Sequence, residues 1–472
     1  MKTECNPSQV EFEGVGGRKL VASFDAEHIT SDGGLVLLHR VDRRFGLLKR
    51  FAACFTDHRA PELIEHKVEH LVRQRVFGIA CGYEDLNDHA ALRDDPLLAA
   101  VVGKEDPLGR DRREKKDQGH PLASSSTLNR LELTPADATT KSRYRKVVYD
   151  AEAMADFFVD SFLDAHPKRP REIVLDLDST DDLIHGTQEG RFFHGYYGNY
   201  CYLPLYIFAG DFLLCAKLRK SDIDGSAGSL DEVKRIVARI HVRWPKVKFV
   251  LRADSGFARD ELMAWCEENG VDFIFGLAKN SRLEKMIRAE LETVKQQAEK
   301  TGAAARMFSE LRYRTLDSWS RERRVVAKAE HLGDKSNPRF VVTSFSPEQW
   351  DARALYEDLY CARGDMENRI KEQQLDMFAD RTSAHTMRAN QLRLWFASVA
   401  YVLVNLLRHF GLRGTELEHA QAGTIRLKLL KLGALVRISV RRVVLSLSAA
   451  APVREVFLRI AGLLEANVPA FS

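Results

Sequence analysis

Asp176, Asp178, Asp254 and Glu367 are the side chains whose types and spacing could do chemistry. Asp176 and Asp178 close an apolar run, EIVLDLD, and a spacing of two puts both on one side of a strand. Asp254 follows a second apolar run, VKFVLRA, and Gly256 lets the chain turn sharply after it. Glu367 lies in YCARGDMENRIKEQQ, where Tyr360, Arg363, Glu367, Lys371 and Gln374 recur at steps of three and four, as on one helical face. Ligands favour the edge where neighbouring strands end. Two such strands, with a helix packed over their ends, would gather three carboxylates there. Mg²⁺ takes hard oxygen ligands and keeps positions open for water and phosphate. Two such ions about 4 Å apart can activate a nucleophile and stabilise a leaving oxygen at phosphorus. Arg363 could hold a phosphate oxygen through a forked pair of bonds, and Lys371 could act as a point charge. A lone Asp at a strand end more often caps a turn, and a Glu/Lys helix face is often only solvated. Three carboxylates in this order, the last beside Arg and Lys, favour the chemical reading.

Elements must position these residues. From Glu172 to Leu277 the pattern reads strand, strand, strand, helix, strand, helix, strand, the order of a mixed α/β sheet with helices on its faces. A hairpin turns at Gly210-Asp211, and Ser229 with Glu232 forms a capping box for LDEVKRIVARIHVRW. Arg282 to Lys300 reads as a charged amphipathic helix, and MFSELRYRTL and WSRERRVVAKAEHL as strands of an insertion before RFVVTSF. Leu359, Met366, Ile370 and Met377 give the Glu367 segment an apolar stripe, which predicts a helix over 360–374. Near the N-terminus, QVEFEG and KLVASFD read as short strands. Helices are expected over LVLLHRVDRRFGLLKRF, from Pro61 to Ala80 and from Asp85 to Val102. QLRLWFASVAYVLVNLLRHF reads as a buried helix, while VRISVRRVVLSL fits a strand or a basic helix.

The bulk numbers narrow the class. At 472 residues, with 45% hydrophobic and 29% charged content, the chain reads as a soluble globular protein of two or three domains. It lacks a run of about 18 uninterrupted apolar residues and an apolar stretch after its first basic residue, so neither a membrane span nor a secretion signal is expected. Seven scattered cysteines without a Cys-x-x-Cys pair suggest reduced thiols in a cytoplasm rather than disulfides or structural zinc. Net charge is +4, yet residues 381–472 carry 13 basic and 4 acidic side chains, a balance of +9 that leaves −5 elsewhere. A basic C-terminal segment is compatible with a nucleic-acid footprint. The Arg- and Lys-bearing N-terminal helices suit DNA docking as well as they suit an ordinary helical domain.

The segments LDLDST, RADSGF and Y-x-x-R-x-x-x-E resemble the three acidic motifs of DDE transposases of bacterial insertion sequences. HGTQEG at 185–190, FDAEHITSDGGLVLL and ENRIKEQ make the insertion sequence 1380 family, within the wider insertion sequence 4 clan, the nearest resemblance. It covers nearly the whole chain. The resemblance implies an RNase H-like mixed sheet with flanking helices, interrupted by a β-rich insertion. A helical N-terminal DNA-binding region and a helical basic C-terminal segment would complete it. By motif, the catalytic, metal-holding residues are Asp178, Asp254 and Glu367, with Asp176 as the alternative first carboxylate. Asp178 is preferred because Ser179-Thr180 follows it. Tyr360 and Arg363 match the clan's tyrosine and arginine as DNA-binding residues. The clan's lysine position holds Gln374 here, with Lys371 the nearby substitute. Trp319, in the insertion, would either stack on a flipped base, as in some relatives, or belong to a hairpin core.

These motifs imply a region at 1–135 that binds DNA and catalytic segments at 136–280 and 339–395. An insertion at 281–338 and a basic segment at 396–472 complete the division. The expected activity is cut-and-paste transposition, with Mg²⁺ (two ions, Mn²⁺ as a substitute) and double-stranded DNA bearing terminal inverted repeats and target sequence. A homodimer in the active complex, no membrane, and a cytoplasmic, nucleoid-associated location are expected with it. A metal-dependent nuclease without strand transfer would keep the carboxylates, and a catalytically silent DNA-binding descendant would keep the basic surfaces.

Overall fold

A computed structural model describes residues 9–333 and 335–465. At its centre lies a nine-stranded mixed sheet. The strands used below are β1 (Glu172–Ser179), β2 (Leu205–Ala209), β3 (Phe212–Lys217), β4 (Lys248–Ala253), β5 (Asp272–Leu277), β6 (Ala305–Tyr313), β7 (Arg323–Leu332) and β8 (Arg339–Thr343). Across the sheet they run β3-β2-β1-β4-β5-β8-β7-β6, and Lys335–Ser336 pairs onto β7. The central β1, β4 and β5 are parallel, and the pairings outside them antiparallel. Asp176 stands opposite Arg252, and Leu177 opposite Ala253. Asp178 and Asp254 therefore come next to each other where both strands end.

Burial explains β1. Ile173, Leu175 and Leu177 join the main core on one face, and Val174 packs on the other face together with residues of β4, β5, β7 and β8. With a side-chain period of two, Asp176 and Asp178 fall on Val174's face. The first face is covered by α3 (Ala151–Ala165), with α4 (Ser229–Arg243) beside it, and by the long α7 (Met387–Gly411); α1 (Leu35–Phe45) and α2 (Val68–Ala80) pack on α7 in turn. An ion-pair ladder joins α3 to α4: Asp156 to Arg235 at 3.0 Å, Asp160 to Arg239 at 2.7 Å and Asp164 to Arg243 at 2.9 Å. α7 is long and apolar enough to cross a bilayer by length and composition alone, but 89% of its most apolar window is buried inside the protein. One continuous cluster of buried side chains joins the N-terminal helices, the sheet and the C-terminal residues.

The second face is covered by the chain leading to Glu367. Leu355, Tyr356 and Leu359 pack against Val250, Ile274, Val326 and Val341. The expected strands at 305–332 extend the central sheet by pairing through β8, with α5 (Arg288–Thr301) packed on β6 and β7.

Several local expectations are corrected. The helix expected from Pro61 begins at Val68, because Arg59 and Lys104 take the carbonyls of His66 and Glu65 that a helix would use. The first helix breaks at Gly46, whose φ of 58° is the left-handed region that glycine reaches without strain. Ser229 and Glu232 make no capping box, since the Glu232 carboxylate bonds Lys217 and Arg235 instead. The C-terminal segment is not wholly helical: Ala434–Ser439 and Arg442–Leu447 form a hairpin that pairs with Ile29–Thr30. Alternation puts Ala434 and Val436 into the core there, a pattern a helix cannot use.

Candidate active site

The Glu367 segment is not one uniform helix. A π-turn over Leu355–Tyr360 passes through a 3₁₀ turn at Cys361–Arg363 into α6 (Gly364–Lys371), and a second π-turn spans Glu372–Asp376. Wide turns of this kind are frequent at functional sites because they re-aim side chains. The apolar stripe holds nonetheless: Leu359, Met366, Ile370 and Met377 are all buried.

A cleft of about 540 Å³ opens at the ends of β1 and β4, lined by Asp178, Asp254, Arg363, Glu367, Lys371 and Gln374 among others. The structure thus brings together three of the four carboxylates marked by sequence. Asp178 accepts a hydrogen bond from Ser179 N at 2.9 Å. Asp254 accepts one from Gly256 N at 2.9 Å, so it caps a turn and faces the cleft at once. Arg363 lies between the strands and the helix, with Nη1 3.5 Å from Asp178 Oδ2 and Nη2 paired to Glu367. Burial pushes the Asp178 carboxyl up to about 6; Arg363 opposes the shift, and the charges of Asp254 and Glu367 add to it.

Asp176 takes no part in this cleft. It is 3% exposed, and Arg252 holds both its oxygens, Nε to Oδ1 at 2.5 Å and Nη2 to Oδ2 at 2.8 Å. Arg252 Nη1 also donates to the Leu359 carbonyl at 2.6 Å, which ties the Glu367 segment to the sheet. Lys371 is exposed at the rim. Tyr360 sits beside Asp254 and Arg363, its hydroxyl pushed up by burial. Trp319 is 4% exposed, edge-on to Tyr313 at 5.7 Å and under the Arg323 guanidinium. Of its two readings the structure shows the core one, and that corrects Trp319 as a DNA-stacking residue: the indole fills the junction of β6 and β7.

Two neighbours lacked a motif, and a third, Arg252, stands inside one as the first residue of RADSGF. A Cβ on Gly276 would come within 2.6 Å of the Tyr360 hydroxyl and 2.9 Å of Ser255 N, so only glycine lets that ring lie against the Asp254 turn. Tyr197 lines the cleft and donates to the Ser179 carbonyl at 3.3 Å; burial, then Asp181 and Asp178, push its phenol up to about 12. Arg252 did leave a sequence signal, since it precedes Asp254 by two residues as Asp176 precedes Asp178.

Among the described residues no three such side chains stand close enough together to hold one ion. The guanidinium of Arg363 occupies the space between Asp178 and Glu367. The donor set nevertheless fits a hard divalent cation: three carboxylates face one cleft, and two of them already pair with a positive group.

A family model described as Transposase DDE domain group 1 matches residues 12–468. The chain belongs to this family. As a DDE transposase it is an enzyme that cleaves and transfers DNA strands. No curated protein sequence matches it. Among solved structures, a cryo-EM structure of a piggyBac transposase synaptic complex with hairpin DNA is similar. It is 10% identical, covering 85% of this transposase and 80% of that chain at a TM-score of 0.38.

Proposed function

We propose that this DDE transposase belongs to the insertion sequence 1380 group and moves its own element by cut-and-paste, with Asp178, Asp254 and Glu367 as the catalytic carboxylates. The observation that carries this reading is their convergence on one cleft while Asp176 is turned into a buried ion pair. An RNase H-like core is supported by the order β3-β2-β1-β4-β5, with β1, β4 and β5 parallel and the Glu367 helix following. β6 and β7 lie between β5 and that helix, within the 281–338 stretch where the insertion is expected.

Asp178, Asp254 and Glu367 would hold Mg²⁺, with Mn²⁺ as a substitute. Bound there, the metal would supply Lewis-acid activation of water and of the attacking 3′-hydroxyl. The protein's part is orientation. Asp178 and Asp254 are fixed by backbone N–H groups at the ends of adjacent parallel strands, and Glu367 comes from a helix packed over them. Arg363, freed from its carboxylate partners, would hold a phosphate oxygen, and Lys371 on the rim would meet the DNA backbone. The substrate is double-stranded DNA with the element's terminal inverted repeats, joined to target DNA by a homodimer working on the nucleoid. The N-terminal helical region and the basic C-terminal segment would contact it.

Cleavage of a duplex carrying the element end, with Mg²⁺, tests this for the native chain and Glu367→Ala. Cutting and joining by the native chain, with Glu367→Ala binding but inert, is the expected result. Equal cutting by Glu367→Ala would remove this helix from the chemistry, and cutting without joining would leave a nuclease.

A further inference from the structure

Asp182 is fully buried, and its Oδ2 has no hydrogen-bond partner. Its Oδ1 accepts from Gln374 Nε2 at 2.9 Å, and the same amide lies 3.2 Å from the Asp181 carbonyl. A buried acid left half-satisfied costs stability, so this contact is not explained by stability alone. Its position suggests the explanation. Asp182 lies four residues after Asp178, and Gln374 seven after Glu367. At the other end of the same segment, Asp176 holds Arg252, which donates to Leu359 O, eight residues before Glu367. The segment bearing Glu367 is therefore fastened at both ends to the chain flanking Asp178.

We propose that the Asp182–Gln374 contact is a positioning clamp, which with the Asp176–Arg252–Leu359 contact sets the placement of Glu367 against Asp178. Between the two anchors the backbone passes through α6 and into a π-turn. The π-turn winds wider than a regular helix and so changes the direction in which Gln374 projects, and the clamp fixes where the segment ends. Neither Asp182 nor Gln374 is a catalytic residue; both act through the backbone that carries Glu367. Gln374 lines the cleft, yet its amide is directed to the loop after β1, so its part is internal and does not require contact with DNA. This inference rests on the assignment of Asp178, Asp254 and Glu367 to metal binding.

The test uses the full chain and four variants: Gln374→Ala, Asp182→Ala, Asp182→Asn and Glu367→Ala. Asn at 182 still presents an oxygen to the Gln374 amide, so it is the conservative rescue. Mn²⁺ binding is read by electron paramagnetic resonance without DNA, and end-DNA binding and cleavage are read separately. Gln374→Ala and Asp182→Ala should weaken Mn²⁺ binding about tenfold or more, as loss of a supporting group around metal ligands does. They should raise the Mg²⁺ requirement for cleavage and leave end-DNA binding unchanged, while Asp182→Asn stays near the native chain. Gln374→Ala with native Mn²⁺ affinity and native Mg²⁺ dependence would overturn the clamp. So would loss of DNA binding with unchanged metal affinity, which would make Gln374 a DNA contact, or an Asp182→Asn as impaired as Asp182→Ala. If the native chain binds Mn²⁺ through Glu367 but cuts no DNA, the transposition reading fails; weakening of that Mn²⁺ binding by Gln374→Ala would still uphold the clamp.

Discussion

Arg252 holds Asp176 by both carboxylate oxygens across adjacent parallel strands. Paired this way and out of water, Asp176 supports the sheet and the Glu367 segment, and Asp178, two residues on, is left for the cleft. The two aspartates should therefore fail differently. Asp178→Ala should stay folded and lose at least about a thousandfold in cleavage. Asp176→Ala strands a buried guanidinium and should cost about 3–5 kcal/mol of stability. Urea denaturation beside end-cleavage assays separates them, and an unfolded Asp178→Ala with a stable Asp176→Ala would reverse the assignment.

Arg363 competes with metal for Asp178 and Glu367 while it serves phosphate in the proposed mechanism. Arg363→Ala should bind Mn²⁺ several-fold more tightly without DNA, because a positive charge leaves the site. It should nonetheless cut end DNA about a hundredfold more slowly. Calorimetric titration with Mn²⁺ and single-turnover cleavage measure the two effects; weaker Mn²⁺ binding would contradict the competition.

Gly276→Ala places a methyl within 2.6 Å of the Tyr360 hydroxyl and 2.9 Å of Ser255 N. Something must shift beside Asp254, at a cost of about 1–3 kcal/mol for such overpacking. Cleavage should fall more than end-DNA binding. Tyr360→Phe in the Gly276→Ala background relieves the closest contact and should recover part of the rate.

Burial pushes Asp182 up to about 8, with the Gln374 hydrogen bond opposing the rise. The folded chain then keeps a proton that the unfolded chain releases near pH 4. The fold is therefore least penalised by this buried carboxyl below the ordinary carboxylate range, and stability is lost as pH rises towards 8. The slope from this one proton is at most about 1.4 kcal/mol per pH unit. Asp182→Asn should flatten it, as followed by urea midpoints from pH 5 to 8; an unchanged pH profile would count against a protonated Asp182.

Trp319 supports the β6–β7 junction through its ring against Tyr313. Trp319→Ala should cost about 3–5 kcal/mol, while Trp319→Phe keeps most of the packing and should cleave end DNA at the native rate. A large loss of cleavage in a stable Trp319→Phe would restore the base-stacking role.

The chain by itself determined much of this. Apolar runs ending in aspartate specify strands whose ends carry carboxylates, because side-chain alternation and strand length are local properties. The stripe Leu359, Met366, Ile370 and Met377 likewise fixed the buried side of the Glu367 segment. Tertiary structure decided the rest. Which of Asp176 and Asp178 faces the cleft depends on the register of β1 against β4, which places Arg252 opposite Asp176, and the two residues are indistinguishable by spacing. The π-turns, the fit of Tyr360 over Gly276 and the bond from Gln374 to Asp182 all depend on contacts between residues far apart in the chain. The hairpin at 434–447 could not be told from a basic helix until Ile29–Thr30 supplied its partner strand. Short-range periodicity reports which face is buried; only packing reports what lies across it.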